Sequence, residues 1–280
     1  MKIGITGATG QLGILVVEQL KSRTAATNLV ALVRSPAKVQ DIEARGFDYN
    51  EPASMAESLR GIDHLLLISG NEIGQRARQH ANVINAAKEA GIKWIVYTSL
   101  LRADTSTLSL AEEHLTTEKL LKESGIAYTL LRNGWYTENY AGSIAGAVAA
   151  GAFIGSAGEG KIAAAARADF AEAAAVVLSS EGHVGNVYEL AGDKTFTLTD
   201  LAAEISKQTG KNIPYQNLPE ADYSKALHSM GLPVTIADAI ASWDVSASVG
   251  DLHSEDQTLS KLIGHPTTPM ADSVKAELGN

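Results

Sequence analysis

The sequence predicts an α/β protein built on a doubly wound parallel sheet, with a smaller, discontinuous α/β lobe toward its C-terminal half. Two observations carry that expectation. Short runs of Ile, Val and Leu with no polar face alternate with helical patterns through the first half, as strands covered by helices on both sides require. The first such run, KIGIT, passes directly into GATGQLG, with glycines at 7, 10 and 13 ahead of an amphipathic stretch.

Taken in order, KIGIT (2–6) reads as a strand and QLGILVVEQLKSR (11–23) as a helix. NLVALVR (28–34) is the second strand, and SPAKVQDIEAR (35–45) carries a helical pattern after it. EPASMAESLRG (51–61) precedes the strand HLLLIS (64–69), the helix QRARQHANVINAAKEAG (75–91) and the strand KWIVYTS (93–99). The helix LAEEHLTTEKLLKESG (110–125) and the strand IAYTLLR (126–132) extend the series. Repeated βα units of this kind define a doubly wound sheet.

Beyond residue 140 the order loosens. AGSIAGAVAAG is small and flexible in character, and GSAGEGKIAAAA is loop-like. RADFAEAAAVVLSS (167–180) is a helix, NVYELAG (186–192) a strand, and LTDLAAEISKQTG (198–210) a helix begun by Thr197 or Thr199. IPYQN (213–217) is a short strand, and the remainder is helical with breaks at GLP and GHPTTP. Residues 1–140 are therefore expected to form the sheet domain. Residues 141–280 are expected to form mostly the smaller lobe, with some segments returning to the core. Such a lobe would cover the carboxyl edge of the sheet, where open α/β sheets bind ligands, and supply the substrate side of a cleft.

A net charge of −9 argues against a nucleic-acid or anionic-membrane partner, whose phosphates it would repel. The chain has no cysteine, which excludes disulfides, thiol catalysis and cysteine-ligated metals, and no metal site is expected. The first strand begins at Lys2, so no signal peptide is expected. No apolar run reaches the length of a membrane span, the Ala-rich stretches being broken by Gly, Arg, Asp and Glu. A cytoplasmic soluble protein is the expectation, and a homodimer is the assembly to test for.

Three glycines so close together serve a backbone need, since glycine weakens regular elements. They are either an ordinary glycine-rich turn or a place where the backbone closely approaches a phosphate. Here they follow a strand, open a helix, and precede a second strand at the expected distance, which favours a dinucleotide fingerprint. The second strand ends VALVR, with Arg34 where an NAD-binding unit usually places Asp or Glu. Arginine cannot accept a ribose hydroxyl but pairs with a 2′-phosphate, so Arg34 points to NADPH unless it is simply a solvated strand end.

The chemistry is harder to read. None of the eight tyrosines has Lys four positions on, so the Tyr-x-x-x-Lys pair of many reductases is absent. The helix where it would be expected carries His114 and Glu118, which helical spacing puts on one face. They are an acid/base pair or, the reading favoured by how common such pairs are, a solvated helix face. Trp94 and Trp243 lie in apolar surroundings and read as core.

ITGATGQLG, VALVRSPAK, LLLIS, NVINAAKEAGIKWIVYTS and YTLLRNGWYTENY resemble the NmrA-like group of atypical short-chain dehydrogenases/reductases. Within it the resemblance is to the bacterial NADPH:quinone oxidoreductase branch, with the triphenylmethane reductases as near cousins. It runs nearly end to end, through the closing TLSKLIGHPTTP. The resemblance implies a Rossmann-type N-terminal domain, a small C-terminal lobe, and NADPH-dependent reduction of quinones. Carried across, the cofactor site falls on Gly7, Ala8, Thr9, Gly10, Gln11 and Leu12, on Arg34, and on the turn Gly74, Gln75 and Arg76. It continues on Glu138, Asn139, Tyr140, Ala141, Gly142 and Ser143 after the sixth strand, with Arg167 opening the next helix. The substrate side includes the neighbourhood of Trp135 and Tyr136. One departure stands out. Between Gly46 and Phe47 to Asn50 the relatives carry several more residues that form a third strand, which here reads as nearly deleted. Its place at the outer edge would spare the fold while altering the adenine side of the pocket.

A quinone spreads the charge of an added hydride through its ring, so proximity and a dry pocket matter more than a strong acid. Tyr136 can donate a proton, stack on the substrate, or serve packing. The leading reading is thus an NADPH-dependent quinone reductase with Tyr136 and His114 as the catalytic candidates. The rival is a redox-sensing regulator that binds NADP(H) without turnover, as NmrA itself does. An NAD-retaining epimerase is disfavoured, because it needs the missing tyrosine base.

Overall fold

The computed structural model describes residues 1–279. In chain order the elements are β1 (Ile3–Thr6), α1 (Gln11–Lys21), β2 (Leu29–Val33), β3 (Glu43–Gly46), α2 (Pro52–Leu59), β4 (His64–Leu67), α3 (Arg76–Glu89), β5 (Trp94–Leu100), α4 (Ala111–Ser124) and β6 (Ala127–Asn133). There follow α5 (Ala141–Ala150), β7 (Phe153–Gly155), α6 (Arg167–Ser179), β8 (Val187–Leu190), α7 (Leu198–Thr209), β9 (Tyr215–Asn217), α8 (Glu220–Ser229), α9 (Val234–Ser248), α10 (Thr258–Ile263) and α11 (Met270–Glu277).

The chain divides into two compact units. The first holds Met1–Asp104, Leu110–Asn133 and Arg167–Leu190. Its seven strands are all parallel and run in the order β3-β2-β1-β4-β5-β6-β8. β1 pairs with β2 on one side (Ile3↔Leu29) and with β4 on the other (Ile3↔His64), so the order reverses at β1 and opens a crevice at the strands' carboxyl ends. All residues of β1, β2 and β5 are buried, which is why their sequences lack a polar face. Met55, Leu59, Val83, Ile84 and Leu121 from α2, α3 and α4 form one apolar core with Leu65, Ile95 and Leu130 of the sheet. The doubly wound α/β fold expected from the sequence is the fold observed.

Two segments differ from expectation. The helical pattern read over 35–45 is a single 3-10 turn at Pro36–Lys38 followed by β3. The third strand is therefore present, pairing Val30↔Glu43 through Val33↔Gly46 at the outer edge of the sheet. Its sequence EARG has no apolar alternation to read. Charged side chains hold it instead, with Lys2 and Arg45 on Glu43 at 2.6 and 2.7 Å, as edge strands commonly show. Phe47 and Tyr49, just beyond, bring ring surface under the sheet rather than marking a deletion: Phe47 is buried, and the Tyr49 hydroxyl donates to Ile68 O at 2.7 Å.

The second unit holds Thr105–Ser109, Gly134–Ala166 and Ala191–Asn280. Here AGSIAGAVAAG, read as flexible, forms α5, which Gly151 ends in the left-handed conformation at φ +79°. Alanine's high helix propensity outweighs the glycines once Ile144 and Ala147 are buried. α7 begins at a capping box in which Thr197 and Asp200 bond each other's backbone amides, as one of the two expected starts requires.

Asp244 of α9 is buried among Tyr215, Tyr223 and Gly155, with its Oδ2 accepting the Ser156 N–H at 2.8 Å. Burial pushes its carboxyl up to about 6, against the opposing pull of that bond. The folded protein thus keeps a proton that the unfolded chain releases near 3.8, and stability falls as pH rises from about 4 to 6. Asp244→Asn keeps an oxygen acceptor and removes the charge. In urea unfolding it should be more stable than wild type at pH 7 by on the order of 2–3 kcal/mol, with the difference vanishing at pH 4. An equal difference at both pH values would show that the carboxylate is not held in a dry environment.

Candidate active site

The carboxyl end of β1 turns at Gly7, whose φ of +60° is one that L side chains rarely adopt. Its N–H donates to Leu32 O of β2 at 3.0 Å, and its carbonyl accepts the Gly10 N–H at 2.8 Å. A Cβ on Gly13 would lie 2.2 Å from Gly7 O and 2.7 Å from Ala8 Cα, so the third glycine lets α1 pack against the turn. Gly10 needs neither allowance. Its φ of −79° suits any residue, and an added Cβ would only press Gly7 O at 3.1 Å. What Gly10 leaves is bare, exposed backbone at the start of a helix with no side-chain cap and no acid in its first turn. Such a start carries free amides and the positive end of the helix dipole, and it suits an anion.

Arg34 follows β2, exposed and without a hydrogen-bond or ion-pair partner among the described residues. The turn Gly74 to Arg76, expected at the cofactor, is divided. Gly74, at φ +82°, and Gln75 are exposed, whereas Arg76 opens α3 turned inward and buried. Its Nε donates to Gly70 O at 2.5 Å and its Nη1 pairs with Glu113 at 3.2 Å. Arg167 is the first residue of α6 and half-buried.

In the second unit, Tyr136 is half-buried and bridges to Ala165, with the Thr137 N–H on Ala165 O at 3.0 Å. Glu138, Asn139 and Tyr140 lie in a 3-10 turn over Thr137–Tyr140, and Ala141, Gly142 and Ser143 form the first turn of α5. The Tyr140 ring is directed inward, edge-on to Phe196, and burial raises its hydroxyl well above the ordinary value. Trp243, expected in the core, is only half-buried: it meets Trp135 edge-to-face at 5.7 Å, and its Nε1 donates to Ser109 Oγ at 3.1 Å. Trp94 is core, 5% exposed.

His114 and Glu118 do not form a solvated face. They are 5% and 1% exposed, and each has its own partner. Arg132 holds Glu118 through two bonds, Nε to Oε1 at 2.9 Å and Nη2 to Oε2 at 2.8 Å, and Ser99 Oγ donates to it at 2.6 Å. Glu118 first, with Glu189, keeps the Arg132 guanidinium charged above its usual value. His114 Nδ1 meets the Tyr97 hydroxyl at 2.7 Å. Burial holds the His114 ring down to about 3 and raises Tyr97 above its ordinary value. His80, which sequence reasoning passed over, is fully buried beside them and also held down to about 3. For the burial of His114 and Glu118 a signal existed: Ala111, His114, Thr117, Glu118 and Leu121 follow the i, i+3, i+4 spacing of a buried helix face.

A glycine turn that packs α1 onto β1, a bare helix start at the reversal of strand order, and an unpaired arginine ending β2 define a dinucleotide-binding α/β protein. The chain belongs to the NAD(P)H-binding family, whose model matches residues 7–181. It is 59% identical over 277 residues to quinone oxidoreductase 2 of Escherichia coli, covering 97% of each chain. The crystal structure of the NADPH-dependent quinone oxidoreductase of E. coli complexed with NADPH matches it with a TM-score of 0.96, over 99% of this chain and 100% of that one. Triphenylmethane reductase of Citrobacter sp. complexed with NADP(H) matches at 35% identity and a TM-score of 0.95, over 99% and 100% of the two chains. The kinship with quinone oxidoreductases and triphenylmethane reductases expected from the sequence is thus found.

The neutral His114 ring carries a pH consequence. The unfolded chain takes up a proton as pH falls through 6.5, while the folded ring resists to about 3. Stability that is full above pH 6.5 is therefore lost progressively as the solution is acidified. The wild-type urea midpoint should fall more steeply between pH 7 and 5 than that of His114→Gln. Parallel slopes would show that the ring is not desolvated.

Proposed function

We propose that the protein is an NADPH-dependent reductase that transfers hydride to quinones in the cytoplasm. The observation that carries this is its end-to-end likeness, at 59% identity, to an E. coli quinone oxidoreductase whose crystal structure holds NADPH. The residues here fit that cofactor, because Gly10 leaves bare backbone at an uncapped helix start and Arg34 stands free where β2 ends.

Gly7, Ala8, Thr9, Gly10, Gln11 and Leu12 hold the pyrophosphate through backbone amides, and Arg34 pairs with the 2′-phosphate. Gly74, Gln75, Arg167 and the segment Glu138 to Ser143 complete the cofactor's surroundings, with Arg76 contributing through Gly70. When bound, NADPH supplies the hydride. Trp135 and Tyr136 are assigned to the acceptor. We assign the Tyr136 ring to orienting it and the Tyr136 hydroxyl to giving a proton to an oxygen whose charge is already delocalised. His114 is assigned no proton transfer, because its buried ring is neutral and already engaged with Tyr97. Among the described residues no helix is long and apolar enough to cross a membrane. Sedimentation velocity distinguishes a homodimer from a monomer.

NADPH oxidation followed with a panel of quinones, simple carbonyls and dyes tests the activity. Rapid turnover of quinones alone is the expected outcome, and tight NADPH binding without turnover of any acceptor would favour a redox-sensing regulator. NADPH should bind more tightly than NADH, and Arg34→Ala should remove most of the difference, on the order of 1.5–3 kcal/mol for a charge-assisted bond. Equal dissociation constants in the wild type would sink the assignment of Arg34. A positioned general acid contributes about a hundredfold or more. Tyr136→Phe should lose much less than that in kcat with a simple quinone, and Tyr136→Ala should lose more, because the ring goes too. A hundredfold loss for Tyr136→Phe with NADPH binding intact would make acid catalysis, not orientation, the main contribution.

A further inference from the structure

Gly70, just beyond β4, has both of its backbone groups bound by buried side chains. Its N–H donates to His80 Nε2 at 3.0 Å, and its carbonyl accepts from Arg76 Nε at 2.5 Å. Because Nε2 accepts and the ring is neutral, Nδ1 carries the ring proton and donates to Thr117 Oγ1 at 2.9 Å. Thr117 sends its own proton to Glu113 O at 3.0 Å, which leaves a lone pair facing the ring. The Glu113 carboxylate in turn accepts the Arg76 N–H at 3.0 Å and Nη1 at 3.2 Å. The bonds therefore close into a circuit, Gly70–His80–Thr117–Glu113–Arg76–Gly70, in which His80 and Thr117 are fully buried and Arg76 is 7% exposed.

This circuit pins both ends of one exposed stretch. Residues 71–75 are all exposed, and they run from Gly70 to Arg76. β4 is the direct neighbour of β1, so the stretch leaves the sheet beside the Gly7 turn, at the reversal of strand order. A Cβ at Gly70 would lie 2.8 Å from Gln79 Oε1, so a side chain here would displace the Gln79 amide. A packing role alone would be met by an apolar ring at position 80. A ring with its acceptor on Gly70 and its tautomer set by Thr117 fixes where a backbone amide points.

We infer that His80 is a positioning residue for NADPH: by accepting the Gly70 amide it holds residues 71–75 in the shape that receives the cofactor. This rests on the NADPH-dependent function proposed above. Thr117 acts one step further back, by keeping the proton on Nδ1.

The test measures the NADPH dissociation constant, kcat at saturating NADPH, and amide exchange over residues 70–75 in cofactor-free protein. His80→Ala should raise the dissociation constant about tenfold, the scale of one lost hydrogen bond, with kcat within about twofold and faster exchange. Gln places an oxygen near the position of Nε2, so His80→Gln should recover most of the affinity. Thr117→Val should weaken binding several-fold. Should His80→Ala not fold, the contrast between a tight His80→Gln and a weak Thr117→Val decides in favour of the inference. Wild-type affinity in Thr117→Val, or no rescue by Gln, would overturn it, as would a fall in kcat with the dissociation constant unchanged. A wild-type protein that does not bind NADPH would overturn the functional proposal and this inference together, whereas wild-type binding with unaffected variants overturns the inference alone.

Discussion

Helix α1 begins so close to the end of β1 that no side chain fits between Gly13 and the carbonyl of Gly7. The other features of the cofactor edge depend on this contact. It holds the start of α1 over the carboxyl end of the sheet, and the Gly7 N–H, bonded to Leu32 O, locks the turn onto β2. With β2 on one side of β1 and β4 on the other, the same turn lies beside both Arg34 and the Gly70 peptide. A helix start held in this way has its free amides already oriented, which suits an anion with little reorganisation.

The inner surfaces of α3 and α4 are unusual in being polar. His80, His114, Thr117 and Glu118 are all buried there. Each would be costly if left unpaired, and each is satisfied: Glu118 by Arg132 and Ser99, His114 by Tyr97, and His80 by Gly70 and Thr117. A buried ion pair such as Glu118–Arg132 need add little net stability, because desolvation offsets its attraction. Its consequence is directional, since two bonds between a planar guanidinium and a carboxylate tie α4 to β6 through one fixed geometry.

This arrangement suits a reductase of delocalised acceptors. A simple ketone concentrates the incoming charge on one oxygen and calls for a positioned acid, whereas a quinone ring disperses it. The helix that would carry a Tyr-x-x-x-Lys pair is then free to use its polar residues for holding the cofactor edge in shape.

The sequence by itself determined the doubly wound sheet, the glycine turn, the missing acid after β2 and the family. These are local signals, since apolar runs buried on both faces and glycines at fixed spacing leave their mark within a dozen residues. Only the tertiary structure decided the rest. EARG is a strand because β2 offers it backbone partners and Lys2 and Arg45 hold Glu43, not because of any apolar alternation of its own. AGSIAGAVAAG is a helix because Ile144 and Ala147 find a surface to pack against. His114 and Glu118 look like a wet helix face until Tyr97 and Arg132, from two different strands, are brought beneath them. His80 carries no motif at all, and its partner is the backbone of a glycine ten residues away. Whether a polar side chain is solvated or enclosed depends on what packs over it, and that is set by strand order rather than by neighbours in sequence.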